Sequence, residues 1–279
     1  MNEAPGAERA SGDEPSESDG ADAEALIAKV TSEISTALIV SDFDGTLAPI
    51  ITDPGAVEPT AGARECLERL ANSAAEVAII SGRNVEFLSK FFPTGVTLVG
   101  LYGLESWKDG TVTYHSNAGV WRETMADVAT AARLQGPAGM LVELKGLSIT
   151  LHYREHPELA TAVEEYSKVA AASAGLRRRP ARMSYELHPP IDEDKRTVLL
   201  RLAAAYSGPV TYVGDDIGDL PTFDGLDELA ASGRTVLRGA VVSAEMPEEL
   251  RRRADVLVDG PQGALSLLER LAGDRRSDR

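Results

Sequence analysis

The 279-residue sequence has one cysteine, Cys66, two tryptophans and four histidines. It also has no apolar run approaching the roughly 18 residues that a membrane-spanning helix requires. A lone cysteine excludes an intramolecular disulfide and a thiolate metal cluster, and it suits a reducing compartment. The N-terminus lacks a basic segment followed by an apolar one, so no secretory leader is read there and a cytoplasmic location is expected. Positive charge is scarce as well: 28 Lys and Arg stand against 44 Asp and Glu, a net charge of −16. That balance argues against nucleic acid as a partner, because phosphate backbones are bound by a basic footprint. No repeat of fixed period is present, which excludes a solenoid. What remains is an ordinary globular composition, 43% hydrophobic and 26% charged, on a chain long enough for one or two domains.

Part of the acidity is local. Residues 1–23 carry seven acidic residues and one Arg among Gly, Pro and Ser. Such a segment buries too little apolar surface to offset the entropy of ordering it, so a disordered acidic tail is expected there.

From residue 24 onward, short apolar runs alternate with helical spacing, the pattern of a parallel α/β sheet. ALIV at 37–40 leads into Asp42, VAII at 77–80 into Ser81-Gly82-Arg83, VTLVG at 96–100 into YGLE, and PVTYV at 209–213 into GDD. DVLVDG at 255–260 reads as a last strand, followed by a helix near 262–272. In open parallel sheets, ligands bind outside the carboxyl ends of the strands. Asp42, Ser81 and Asp215 then meet at one edge despite their distance in sequence.

Residues 111–189 read differently. TVTYH, MLVELKG, LSITLHY, LRRRP and RMSYELH are strand-like, with helices near 119–135 and 157–174. Strands that neighbour one another in this way favour an antiparallel sheet. The expected fold is therefore α/β: a Rossmann-like parallel-sheet core made of residues 24–110 and 190–279, with an inserted α+β cap domain at 111–189.

The stretch DFDGT at 42–46 has a bland reading, a turn after a strand, because Asp-Gly is ordinary turn chemistry. In an extended backbone, however, Asp42 and Asp44 project the same way. Two carboxylates in one small space share a proton or hold a cation. Mg²⁺ prefers such oxygen ligands, commonly one or two carboxylates together with substrate phosphate, and Asp215 supplies another. With the hydroxyls of Thr46 and Ser81 and the charge of Lys195, this becomes a phosphate site. A carboxylate there can act as a nucleophile, so the reaction class is phosphoryl transfer.

The motifs DFDGT, SGR, DEDK and GDDIGD resemble those of haloacid dehalogenase-like phosphohydrolases. More closely, DFDGTLAPI, SGR, YGLE, VELKGLSITLHYR, YELHPPIDEDK and GDDIGDLPTF resemble the trehalose-6-phosphate phosphatase family, over roughly residues 36–270. The resemblance implies Mg²⁺-dependent hydrolysis of trehalose 6-phosphate, a small-molecule sugar phosphate, through an aspartyl-phosphate. It implies Asp42 as nucleophile and Asp44 as acid and base. It gives Asp42, Asp215 and the backbone carbonyl of Asp44 as metal ligands, and Ser81 and Lys195 as phosphate contacts. Asp216 and Asp219 follow as residues that orient metal-bound water or Lys195. Sugar contacts are implied at Arg83 and Glu105 in the core and at Lys145, Arg154 and Glu186 in the cap.

The sequence departs from the family pattern in four places. Gly218 replaces a Thr and Leu220 a Glu in the GDD motif, Tyr102 stands where a His is common, and Arg196 follows Lys195 in place of Gly. Two other readings follow: the same chemistry on another disaccharide-like or glycosyl phosphate, and a non-catalytic sugar-phosphate sensor. The sensor is disfavoured because Asp42 and Asp44 are both present. The histidines, His115, His152, His156 and His188, read as structural or surface residues. Arg177-Arg178-Arg179 reads as a solvated cap edge, and Cys66 as a small core residue.

Overall fold

In the computed structural model, the described residues are 17–51, 53–92, 94–181, 183–243 and 246–273. The first five strands are β1 (Leu38–Ser41), β2 (Glu76–Ile80), β3 (Thr97–Gly100), β4 (Glu105–Lys108) and β5 (Thr111–Tyr114). They are followed by β6 (Leu141–Leu144), β7 (Ile149–His152), β8 (Arg177–Ala181) and β9 (Ser184–His188), then β10 (Val210–Gly214), β11 (Val236–Val242) and β12 (Val256–Asp259). The helices are α1 (Glu17–Ser32), α2 (Ala63–Ser73), α3 (Val85–Ser89), α4 (Arg122–Gln135) and α5 (Ala160–Ala174). The later ones are α6 (Lys195–Ala203), α7 (Leu220–Ala231), α8 (Glu248–Arg253) and α9 (Gly260–Leu271).

Eight strands form one sheet in the order β12-β11-β10-β1-β2-β3-β4-β5, parallel from β12 to β3 and antiparallel at β4 and β5. Every residue of β1, β2, β3 and β10 is buried, as expected of parallel strands covered on both faces. Alternation sorts their side chains. Ile39, Val77, Ile79 and Leu98 join the α2 and α9 residues Leu67, Leu70 and Leu268 in one core, with Cys66 among them. Leu38, Val40, Ala78 and Ile80 join Val198, Leu199 and Phe223 of α6 and α7 in the other. The parallel-sheet core read from the sequence is therefore present.

Three details differ from the sequence reading. Helix α1 begins at Glu17, inside the stretch expected to be disordered, and buries Ile27 and Val30 in the first core. The rest of that expected tail, residues 1–16, lies outside the described residues. Residues 111–114, assigned to the insertion, pair as β5 with β4 and extend the large sheet. Strand β11 lacks a clean apolar signature because Arg238-Gly239 interrupts it; Arg238 is partnered by Asp227 and Asp255.

Strands β6, β7, β9 and β8 form a second, antiparallel sheet in that order. One face carries Ile149, Leu151 and Leu187 onto Met125 and Ala129 of α4 and Val163 and Ala171 of α5. The opposite face is polar. The register aligns Glu143, Thr150, Glu186 and Arg179 in one rung across all four strands. Among the described residues, no helix is long and apolar enough to cross a membrane.

Candidate functional site

A cleft of about 220 Å³ opens between the carboxyl ends of the large sheet and the polar face of the small one. From the strand ends it receives Asp42, Asp44, Ser81, Arg83 and Asp215, with Lys195 from the start of α6; from the small sheet, Glu143, Lys145, Thr150, His152 and Glu186. The convergence at the strand ends expected from the sequence is thus realised. β1 and β10 are adjacent in the sheet, so Asp42 and Asp215, one and two residues beyond register-paired Ser41 and Val213, emerge side by side.

The turn after β1 is shaped by close packing. Gly45 has φ of 80°, and a Cβ there would lie 2.1 Å from Asp215 Oδ2. Glycine answers both demands, since it alone tolerates this backbone without a side chain. Thr46 Oγ1 donates to Asp215 Oδ1 at 2.9 Å, so its hydroxyl holds a carboxylate in place.

Lys195 is the first residue of α6, whose N-terminus is secured by a capping box between Asp194 and Thr197. Its ammonium is buried and lies 2.6 Å from Asp219 Oδ1 and 3.0 Å from Asp42 Oδ1. Burial alone would lower its pKa, but the charges of Asp219 and Asp42 outweigh that and raise it well above the ordinary lysine value. Asp219 is saturated with donors. Its Oδ1 accepts from Lys195 and from the Tyr212 hydroxyl at 2.5 Å, and its Oδ2 from the amides of Asp215 at 2.8 Å and Asp216 at 3.2 Å. Asp216 turns back to accept from the Gly218 amide at 2.8 Å.

The ligand-capable oxygens of Asp42, Asp215 and Asp219 lie within 4.8 Å of one another. Four donors already occupy Asp219, which leaves Asp42 and Asp215 to face a cation. Burial pushes the carboxyls of both upward, Asp215 to about 7; the Lys195 charge opposes the rise at Asp42 without cancelling it, and neighbouring carboxylates add to it at both. Two buried oxygen ligands that resist ionisation by themselves fit a hard divalent cation. A pH dependence follows. A carboxyl whose pKa is higher folded than unfolded contributes stability below about pH 4, and that stability is lost as pH rises through about 7. In chelator-treated protein the loss is of the order of a few kcal/mol, at about 1.4 kcal/mol per pKa unit. Added Mg²⁺ is therefore expected to raise the melting temperature several degrees at pH 8 and little at pH 5. Equal shifts in thermal melts at both values would remove these carboxylates as the cause.

The other expected residues are placed as follows. Asp44 is half-exposed and gripped by Arg83, whose Nε donates to Oδ2 at 2.8 Å and Nη2 to Oδ1 at 2.6 Å. Arg83 in turn packs over the Phe87 ring. Ser81 Oγ accepts from the Arg83 amide at 3.1 Å. Arg154 reaches from the small-sheet side to the large-sheet side, donating to the Ile51 carbonyl at 3.2 Å. Lys145 and Glu186 line the cleft.

Glu105 does not. Its Oε1 accepts from the Val85 amide at 2.7 Å, tying β4 to the start of α3, and it lines a separate cavity with Trp107 and Arg122. Burial raises its carboxyl, partly offset by that amide. Sequence reasoning also missed Glu143, which sits 3.0 Å from His152 and 3.6 Å from Lys145. Burial pushes Glu143 up, but the His152 hydrogen bond and the Lys145 charge prevail and hold it below the usual glutamate range. His152, read as a structural or surface residue, lines the cleft. The signal was available for Glu143: in V-E-L-K it shares a strand face with Lys145.

A parallel sheet with carboxylates at adjacent strand ends and an inserted second sheet is the haloacid dehalogenase-like fold. A haloacid dehalogenase-like hydrolase from Bacteroides thetaiotaomicron shares it at a TM-score of 0.58 and 15% identity, over 84% of this chain and 99% of that one. Within that class, the sequence pattern of the trehalose-phosphatase family matches residues 40–255, and the chain belongs to this family. The C. albicans trehalose-6-phosphate phosphatase C-terminal domain superposes with a TM-score of 0.72 at 24% identity, over 90% of this chain and 96% of that one. A trehalose-phosphate phosphatase of Mycolicibacterium paratuberculosis is 34% identical over 249 residues, 83% of this chain and 61% of the relative. The chain spans about 50–61% of the length of the first curated relatives it matches.

Proposed function

We propose that this chain is a Mg²⁺-dependent phosphatase that hydrolyses trehalose 6-phosphate to trehalose and phosphate. The observation that carries the reading is the shared cleft: buried carboxylates and a lysine at one wall, a polar rung of hydrogen-bonding side chains at the other. Family membership and the names of the relatives support the substrate.

In this reading Asp42 attacks the phosphorus, the bond to the sugar oxygen breaks, and an aspartyl-phosphate forms. Asp44 gives a proton to the departing oxygen and then takes one from the water that cleaves the intermediate. To do so it must let go of Arg83, which frees that guanidinium for the incoming ester. Lys195 and Ser81 hold the phosphoryl oxygens. Asp42, Asp215 and the Asp44 carbonyl would hold Mg²⁺, which when bound offsets the charge on the phosphoryl group. Asp219 fixes Lys195, and Asp216 orders the neighbouring loop. Glu143, Lys145 and Glu186 hydrogen-bond the sugar hydroxyls, with Arg154 closing the far end.

Phosphate release from a panel of sugar phosphates in Mg²⁺ tests the substrate. Selective turnover of trehalose 6-phosphate, with KM raised about tenfold or more by Glu186→Gln, is the expected result. Faster turnover of another glycosyl phosphate would move the substrate while leaving the chemistry. No release of phosphate from any ester by folded, Mg²⁺-loaded protein would refute the reading.

A further inference from the structure

Leu101 and Tyr102, directly after β3, both hold left-handed backbone, with φ of 50° and 56°. Two successive non-glycine residues in that region are strained and persist only where their surroundings over-determine them. Here the backbone is tied to the turn after β2: the Leu101 amide donates to the Arg83 carbonyl at 2.9 Å, and the Tyr102 amide to the Ser81 carbonyl at 3.1 Å. The ring is pinned too. A Cβ at Gly82 would lie 2.7 Å from the Tyr102 hydroxyl, so the side chain lies directly against this turn.

The ring also meets the small sheet. The Arg179 guanidinium lies 4.0 Å from the Tyr102 ring centroid, within the range of a cation–π contact. Arg179 ends the rung that begins at Glu143 and passes through Thr150 and Glu186. Tyr102 thus touches both the Ser81–Arg83 turn and the last member of the polar row. Next to the stack is a void of about 10 Å³, room for one water. It is lined in part by Ser148, whose buried hydroxyl has no protein partner.

We infer that the Tyr102–Arg179 stack is a specificity joint: it sets the separation between the Ser81–Arg83 turn and the Glu143–Thr150–Glu186 row, and so selects phosphate esters whose leaving group spans the two. The inference rests on the phosphatase reading of the cleft. Both partners are positioning residues that act through the groups they space apart. An ester with a small leaving group never reaches the row and is less sensitive to its distance.

The test compares kcat and KM for trehalose 6-phosphate and for p-nitrophenyl phosphate in wild type, Arg179→Ala, Arg179→Lys and Tyr102→Gly. Glycine suits the backbone at 102, so this variant removes the ring without adding strain. Arg179→Ala and Tyr102→Gly are expected to lower the ratio of kcat/KM between the two esters at least tenfold, through KM of the sugar ester. Arg179→Lys keeps a cation over the ring and should recover most of the ratio. The double variant should fall no further than the worse single one, because one contact is lost either way. An equal fall for both esters, or additive losses in the double variant, would overturn the joint. If wild type hydrolyses the aryl ester but not trehalose 6-phosphate, the substrate assignment fails by itself. The same ratios, taken against the sugar phosphate it turns over best, then decide the joint.

Discussion

Asp42→Asn is expected to lower phosphate release at least about 10⁴-fold, the scale on which removal of a nucleophile acts in covalent catalysis. The amide keeps the shape of the carboxylate but has no anionic oxygen to attack phosphorus. Hydrolysis of a phosphate monoester without a nucleophile is among the slowest of reactions, so little bypass is available. The fold should survive, because Asp219 remains as the nearer buried partner of Lys195 and the substitution removes a carboxylate whose ionisation burial opposes. A melting temperature at or above that of wild type, alongside lost turnover, is the expected pair of results. Residual activity within tenfold of wild type would take Asp42 out of the nucleophile role.

Lys195→Met should act on stability as well as on turnover. The ammonium lies between Asp42 and Asp219 with almost no solvent contact. Its removal leaves two buried carboxylates facing each other, and breaking a buried pair in this way typically costs about 3–5 kcal/mol. Urea unfolding in chelator at pH 7.5 measures the loss. The cost should shrink toward pH 4, where protonation relieves the uncompensated charge, and adding Asp219→Asn should restore part of the stability. A loss under about 1 kcal/mol would mean that the Asp219 partners other than lysine, the Tyr212 hydroxyl and two amides, already neutralise the site.

Much of the carboxylate-bearing wall was legible in the sequence because parallel strands announce themselves twice, as apolar runs and by what ends them. ALIV, VAII and PVTYV are buried on both faces, so their composition has no competing demand. The Asp, Ser and Asp beyond them stand at one edge by topology alone. The other wall was harder. Its strands are four or five residues long and apolar on only one face, so the side turned to the cleft is set by α4 and α5, which the sequence does not locate in space. Lys145 and Glu186 were reached through family resemblance, and Glu143 on the same face was passed over. Arg179, one of three consecutive arginines, gave no sign that it stacks on a ring 77 residues earlier in the chain. Glu105 was likewise reached through the family resemblance, and it lies against the Val85 amide, 20 residues away, outside the cleft lining.

The rung Glu143–Thr150–Glu186–Arg179 has a further consequence. Hydrogen-bonded strands hold their neighbours about 4.8 Å apart, a spacing that side-chain replacement does not alter. The polar wall is therefore a ruler with exchangeable marks. Its backbone is braced from behind by an apolar core of its own, separate from the two that support the carboxylates. Side chains along this wall can be exchanged one mark at a time without disturbing the strand ends that carry Asp42 and Asp215.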